Sequence, residues 1–112
     1  MRLNHLNLTV SDVKAAMDFL VNYFGLQIGS TRGNGFAVLF DDGGLVLTLM
    51  KGAQAVYPST FHIGFIQESE ERVNEINARL KDDGFDVSPP QRSHAWTFYV
   101  QAPGGFTVEV LH

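Results

Sequence analysis

Cysteine is absent from this chain of 112 residues. That absence excludes disulfides, a zinc–thiolate centre and thiol nucleophilic catalysis, and it fits a reducing cytoplasm. No apolar run reaches the ~20 residues that cross a bilayer. The N-terminal Met1-Arg2-Leu3-Asn4-His5 has neither the basic nor the apolar region of a secretory signal. Like charges do not cluster: eight Lys and Arg and twelve Asp and Glu are scattered, for a formal net charge of −4. Without a basic stripe or an RNA-binding aromatic motif, neither nucleic acid nor membrane is an expected partner. What remains is one small, soluble, cytoplasmic domain (1–112), long enough to bury roughly two-thirds of its unfolded surface.

The chain has periodicity in two matching halves. Leu3 to Val10 alternates as a strand, with Leu3, His5, Asn7 and Thr9 on one face and Asn4, Leu6, Leu8 and Val10 on the other. Ser11 is the expected N-cap of a helix carrying Val13, Ala16, Met17, Leu20, Val21 and Phe24, stopped by Gly25. Strands follow at 26–31, 35–40 and 45–50, with turns at Arg32-Gly33-Asn34-Gly35 and Asp41-Asp42-Gly43-Gly44. The second half predicts a strand over 61–67 and a helix over 70–82 with Ser69 as cap and Gly84 as stop. Further strands are expected at 85–88, 95–101 and 106–111. Gly43-Gly44-Leu45-Val46-Leu47-Thr48-Leu49 lines up with Gly104-Gly105-Phe106-Thr107-Val108-Glu109-Val110. Internal duplication of this kind fixes architecture. The expected class is α+β: two βαβββ modules, about 1–50 and 61–112, joined by a linker at 51–60. One helix covers one face of each sheet, so the bare, curved mixed sheets must face a cleft or a second chain.

His5, His62 and Glu109 fall in three of these strands. Two imidazoles and a carboxylate are the donor set of a facial-triad metal site, which keeps positions open for substrate or water. The alternative for each histidine is a ring bonded to a neighbouring backbone group. Glu109 sits between Val108 and Val110, so its carboxylate needs a cation or several hydrogen bonds. A metal is one such cation; Arg2 and Arg92 are others. By alternation Asn7 and Thr9 share the face of His5, and Tyr99 and His94 near the last hairpin can line the cleft. Trp96, with Phe98 and Val100, reads as core.

Asn4-His5-Leu6-Asn7-Leu8-Thr9-Val10-Ser11-Asp12-Val13, Tyr23-Phe24-Gly25-Leu26, Phe61-His62-Ile63-Gly64-Phe65 and Ala102-Pro103-Gly104-Gly105-Phe106-Thr107-Val108-Glu109-Val110 together resemble the vicinal-oxygen-chelate superfamily. That group comprises glyoxalase I, bleomycin-resistance proteins, fosfomycin-resistance thiol transferases and extradiol dioxygenases, and the resemblance spans the chain. It implies metal ligands at His5, His62 and Glu109, with Thr48 where glyoxalase I carries a carboxylate, which disfavours lactoylglutathione lyase activity. It also implies a divalent ion (Mn, Fe, Ni, Co or Zn), with Glu109 able to double as a catalytic base. Asn7, Thr9, Thr48, Arg92, His94 and Tyr99 are the expected substrate-binding residues, the Arg92-Ser93-His94 loop being a place for an anion. The expected function is lyase, isomerase, thiol-transfer or dioxygenase chemistry on a small, metal-chelating, oxygenated molecule. The alternative is a metal-free protein that sequesters a bleomycin-type antibiotic and so confers resistance. A homodimer is expected, with sites shared between chains and with Phe19 and Tyr23 adding apolar helix surface to the interface.

Overall fold

The computed structural model describes residues 1–54 and 56–112, so Ala55, inside the expected linker, lies outside the described residues. Ten elements follow in chain order: β1 (His5–Val10), α1 (Val13–Phe24), β2 (Gln27–Arg32), β3 (Phe36–Phe40), β4 (Val46–Lys51), β5 (Ile63–Ile66), α2 (Glu70–Asp82), β6 (Gln91–Arg92), β7 (Trp96–Ala102) and β8 (Phe106–Leu111). The sheets have the orders β1-β4-β3-β2 and β5-β8-β7-β6, each with one parallel pair (β1 with β4, β5 with β8) and two antiparallel pairs. This is the α+β class, with the βαβββ plan used twice. Two compact units result. Unit 1 is Met1–Tyr57 with Pro103–Gly105, and unit 2 is Pro58–Ala102 with Phe106–His112.

In unit 1, α1 begins one residue later than expected. Asp12, not Ser11, is the N-cap, its carboxylate accepting from Ala15 N–H at 3.0 Å. Either residue type can cap, and the extended backbone at Asp12 decides it. Gly25, at φ 70, ends the helix in the left-handed region, as a C′ glycine does. The buried face of α1 is Val13, Ala16, Phe19, Leu20 and Tyr23. The expected stripe is therefore rotated. Positions 13, 16, 20 and 23 follow the i, i+3, i+7, i+10 line, and Phe19 shares its arc, while Met17, Val21 and Phe24 are only half-buried. Phe19 and Tyr23 consequently belong to the core and add no apolar helix surface for a dimer. The β3–β4 turn is held by Asp41, whose Oδ1 accepts from Gly43 N–H at 2.9 Å and Leu45 N–H at 2.8 Å. Gly104 has φ 98, and a Cβ there would stand 3.1 Å from Val10 Cβ and 3.3 Å from Ala16 Cβ. Close approach as well as backbone conformation thus requires glycine.

In unit 2, Ser69 caps α2 as expected, accepting from Arg72 N–H at 3.1 Å. Glu70 and Glu71 lie in the first turn and Arg79 and Lys81 in the last, each sign favourable to the helix dipole. Val73, Ile76 and Leu80 are buried, together with Phe98, Val100, Phe106, Val108 and Val110 from β7 and β8. The expected strand at 85–88 does not form. Pro89 and Pro90 carry no N–H for a ladder, and Asn77 Nδ2 instead donates to the Ser88 carbonyl at 2.9 Å. A two-residue β6 after the prolines takes that place in the sheet.

Candidate functional site

Strand register gives the two modules a common frame. Leu6 pairs with Leu47 and Asn7 with Thr48, while Ile63 pairs with Val108 and Gly64 with Glu109. Since Leu47-Thr48 corresponds to Val108-Glu109, His5 corresponds to His62 and Asn7 to Gly64. In unit 1 this pair of positions is closed: Thr48 Oγ1 donates to Asn7 Oδ1 at 2.6 Å. In unit 2 Gly64 offers no side chain, and the Glu109 carboxylate takes its partners from elsewhere.

Glu109 is 5% exposed and is the organising group of unit 2. Its Oε2 accepts from Thr97 Oγ1–H at 2.6 Å and from His94 Nε2–H at 2.6 Å. Its Oε1 faces His62 Nε2 at 3.3 Å. Tyr99 sets its ring edge-on to His62, centroids 5.3 Å apart. Burial, the largest influence, pushes the Glu109 carboxyl up. Hydrogen bonds from Thr97 and His94, the charge on His94 and the Tyr99 hydroxyl together pull it further down, to a net value below the ordinary one. The Tyr99 phenol is raised, first by burial and then by the Glu109 charge, so it keeps its proton.

The tautomer of His62 follows from its other nitrogen. Nδ1 lies 3.0 Å from the Thr60 carbonyl, which can only accept, so Nδ1 carries a proton. In the neutral ring the Nε2 lone pair then points at an ionised carboxylate oxygen. Two facing lone pairs repel, and either a second proton on His62 or a cation relieves them. Two donors held ~2.1 Å from one ion stand roughly 3.0–3.4 Å apart, and the His62–Glu109 spacing lies in that range. Among the described residues, however, no group of three or more His, Cys, Asp or Glu is arranged to hold a metal.

Two clefts open on this face and share Tyr99. One, of about 350 Å³, has His94, Thr97, Gln91, Ser93 and Ser88 in its lining; the other, of about 480 Å³, has His62, Thr60, Ser59, Gln101 and Thr107. Unit 2 therefore gathers four of the expected site residues or their neighbours: His62, His94, Tyr99 and Glu109. Arg92 is drawn away. Its guanidinium pairs with Glu70 and lies over the Trp96 ring, 5.3 Å from the centroid, while remaining largely exposed. His5, Asn7, Thr9 and Thr48 belong to unit 1. There His5 Nδ1 bonds Asn4 Oδ1 at 3.1 Å, and Thr9 has its backbone N–H and C=O both bonded to the Tyr57 hydroxyl, at 2.8 and 2.9 Å. Sequence reasoning missed Thr97 and Thr60. Thr97 was within reach, because alternation along β7 puts it on the face of Tyr99. Thr60 acts through its carbonyl, which no residue type reveals.

Residues 2–110 match the model of the Glyoxalase/Bleomycin resistance protein/Dioxygenase superfamily. The chain belongs to this superfamily. No functionally curated protein matches it. Among solved structures it is similar to a possible glyoxalase from Bacillus cereus, at 62% identity over 100% of this chain and 99% of that one, with a TM-score of 0.97. The fold is also that of a genomically encoded fosfomycin resistance protein from Listeria monocytogenes, solved with Mn(II) and 1S,2S-dihydroxypropylphosphonic acid (24% identity, 98% and 90% covered, TM-score 0.83). Lactoylglutathione lyase from Agrobacterium tumefaciens shares it too (20% identity, 98% and 92% covered, TM-score 0.77). No helix is long and apolar enough to cross a membrane among the described residues.

Proposed function

We propose that this superfamily member is a divalent-metal-dependent enzyme acting on a small, metal-chelating, oxygenated molecule, with His5, His62 and Glu109 as ligands. The observation that carries this reading is the pair formed by His62 Nε2 and the buried Glu109 Oε1, 3.3 Å apart, with His62 Nδ1 committed to the Thr60 carbonyl so that Nε2 is the nitrogen facing the carboxylate. His5 is the third ligand because it occupies the register position of His62. Its Nδ1 is likewise committed, to Asn4 Oδ1, which leaves Nε2 as the donor. The bound ion supplies Lewis-acid polarisation of a substrate oxygen. Around it, Glu109 provides a negative charge that is already ionised at neutral pH, and Tyr99 offers a protonated hydroxyl to a ligand in either cleft. Asn7, Thr9 and Thr48 supply hydrogen bonds from the other module, and His94 acts through Glu109. Arg92, exposed beside Glu70, is the cation of this face nearest the His94 loop. The assembly in this reading is a homodimer, supported by the exposed apolar Leu3, Ile28 and Met50 of unit 1 in place of Phe19 and Tyr23.

Calorimetric titration of the apoprotein with Mn, Ni, Co and Zn tests the reading. One site per chain with Kd well below millimolar is expected, weakening in acid because ligating imidazoles must be neutral. If every ion binds more weakly than millimolar, a binding energy of only about 4 kcal/mol, the metalloenzyme reading is lost and metal-free sequestration of a small molecule takes its place.

A further inference from the structure

We propose that Thr97 and His94 are positioning residues that pin one oxygen of Glu109, so that the carboxylate offers a cation Oε1 alone; the inference rests on the metal-site reading above. Both hydrogen bonds converge on Oε2 at 2.6 Å, short as expected for donors to an ionised group. Two donors fill the ordinary hydrogen-bonding capacity of that oxygen. Oε1 is left directed at His62 Nε2.

On the β5 side nothing competes for Oε1: Gly64 is the β5 residue paired with Glu109, and even a Cβ built there would approach Oε1 no closer than 4.0 Å. On the β7 side the paired residue is Tyr99, whose ring stands edge-on to His62. Module 1 shows the contrast within one chain. At the same register its Asn7 side chain fills the space and accepts from Thr48. The duplication thus yields one closed polar pair and one open carboxylate oxygen. Thr97 is itself buried, at 5% exposure, and its β7 backbone is laddered to β8, so its hydroxyl is fixed by two strands rather than by a loop. Swinging Glu109 out to carry protons would break both bonds to Oε2 and strand the Thr97 hydroxyl. Glu109 is therefore a fixed single-oxygen ligand rather than a mobile base.

The test uses Mn2+ affinity by calorimetry and the visible spectrum of the Co2+-loaded protein, which reports coordination number. Thr97→Val keeps the side chain's shape and removes the donor. Affinity is expected to fall about 10–100-fold, the usual cost of losing a group that orients a ligand, and the Co2+ bands should change as the second oxygen becomes available. Thr97→Ser retains the hydroxyl and should keep wild-type affinity to within about threefold, with an unchanged spectrum. His94, half-exposed, offers a pair that does not threaten folding should Thr97→Val fail to fold: His94→Ala should weaken Mn2+ binding and His94→Gln, which keeps an N–H donor, should restore part of it. Wild-type affinity and spectrum in Thr97→Val and His94→Ala would overturn the positioning role while leaving the metal site standing. Failure of the wild-type protein to bind Mn2+ would overturn both.

Discussion

Glu109→Ala is expected to abolish measurable divalent-metal binding and to lower the stability of the apoprotein. The first effect follows from the donor set. Without the carboxylate, unit 2 retains His62 alone as a directed ligand, and a lone imidazole holds a first-row ion only weakly. The second follows from what the carboxylate satisfies. Thr97 is buried and donates to Oε2, so truncation leaves its hydroxyl unpaired, at a cost of about 1–3 kcal/mol. The stability effect also has a pH signature. The Glu109 carboxyl lies below its ordinary value of 4.5 in the folded chain. A carboxyl depressed on folding contributes stability that is fully present above the unfolded value and is lost as pH falls through the folded one. Urea denaturation of wild type and Glu109→Gln should therefore show a gap at pH 7 that closes in acid below 4.5. A gap that is constant down to pH 2.5 would contradict the hydrogen-bonded carboxylate described here.

Phe106→Ala is expected to be the most damaging core substitution, removing about 3–5 kcal/mol. Phe106 is 1% exposed and the largest of the fully buried side chains. It opens β8, two residues before Val108 and on the same face, so its loss leaves a cavity beside the strand that carries Glu109. Against a total of about 5–15 kcal/mol for a domain, that change should lower the urea midpoint markedly. Leu45 holds the corresponding place in module 1 but is only half-buried, so Leu45→Ala should cost clearly less. Equal midpoints for the two variants would show that the buried role assigned to Phe106 is wrong.

Much of the fold was legible because local signals and burial agree. The Gly-Gly turns, the capping Ser69, the C′ Gly25 and the period-two alternation of 95–101 and 106–111 each state one local choice, and the duplication repeats it. The helix face was misread where the sequence is ambiguous: α1 is apolar nearly all round, so Met17, Val21 and Phe24 compete with Phe19 and Tyr23, and only packing on β3 and β4 chooses. The strand at 85–88 was misread because its apolar alternation is real but its neighbour, Pro89-Pro90, removes the donors that a ladder needs. The strand positions of His62 and Glu109 were legible from the repeat and from alternation, and the proposal gives them a role there. The partners that set their chemistry were not: Thr60 acts through its backbone, and Arg92 is diverted by Glu70, which lies on α2 far from it in sequence.

The account turns on whether a cation sits between His62 and Glu109. Anomalous scattering from a crystal of the wild-type protein grown with Mn2+ tests that most directly. The account predicts a single strong peak per chain, within about 2.3 Å of both His62 Nε2 and Glu109 Oε1, with Oε2 still bonded to Thr97 and His94. A crystal grown with Mn2+ that shows no peak there, with His62 and Glu109 in direct contact, would contradict it.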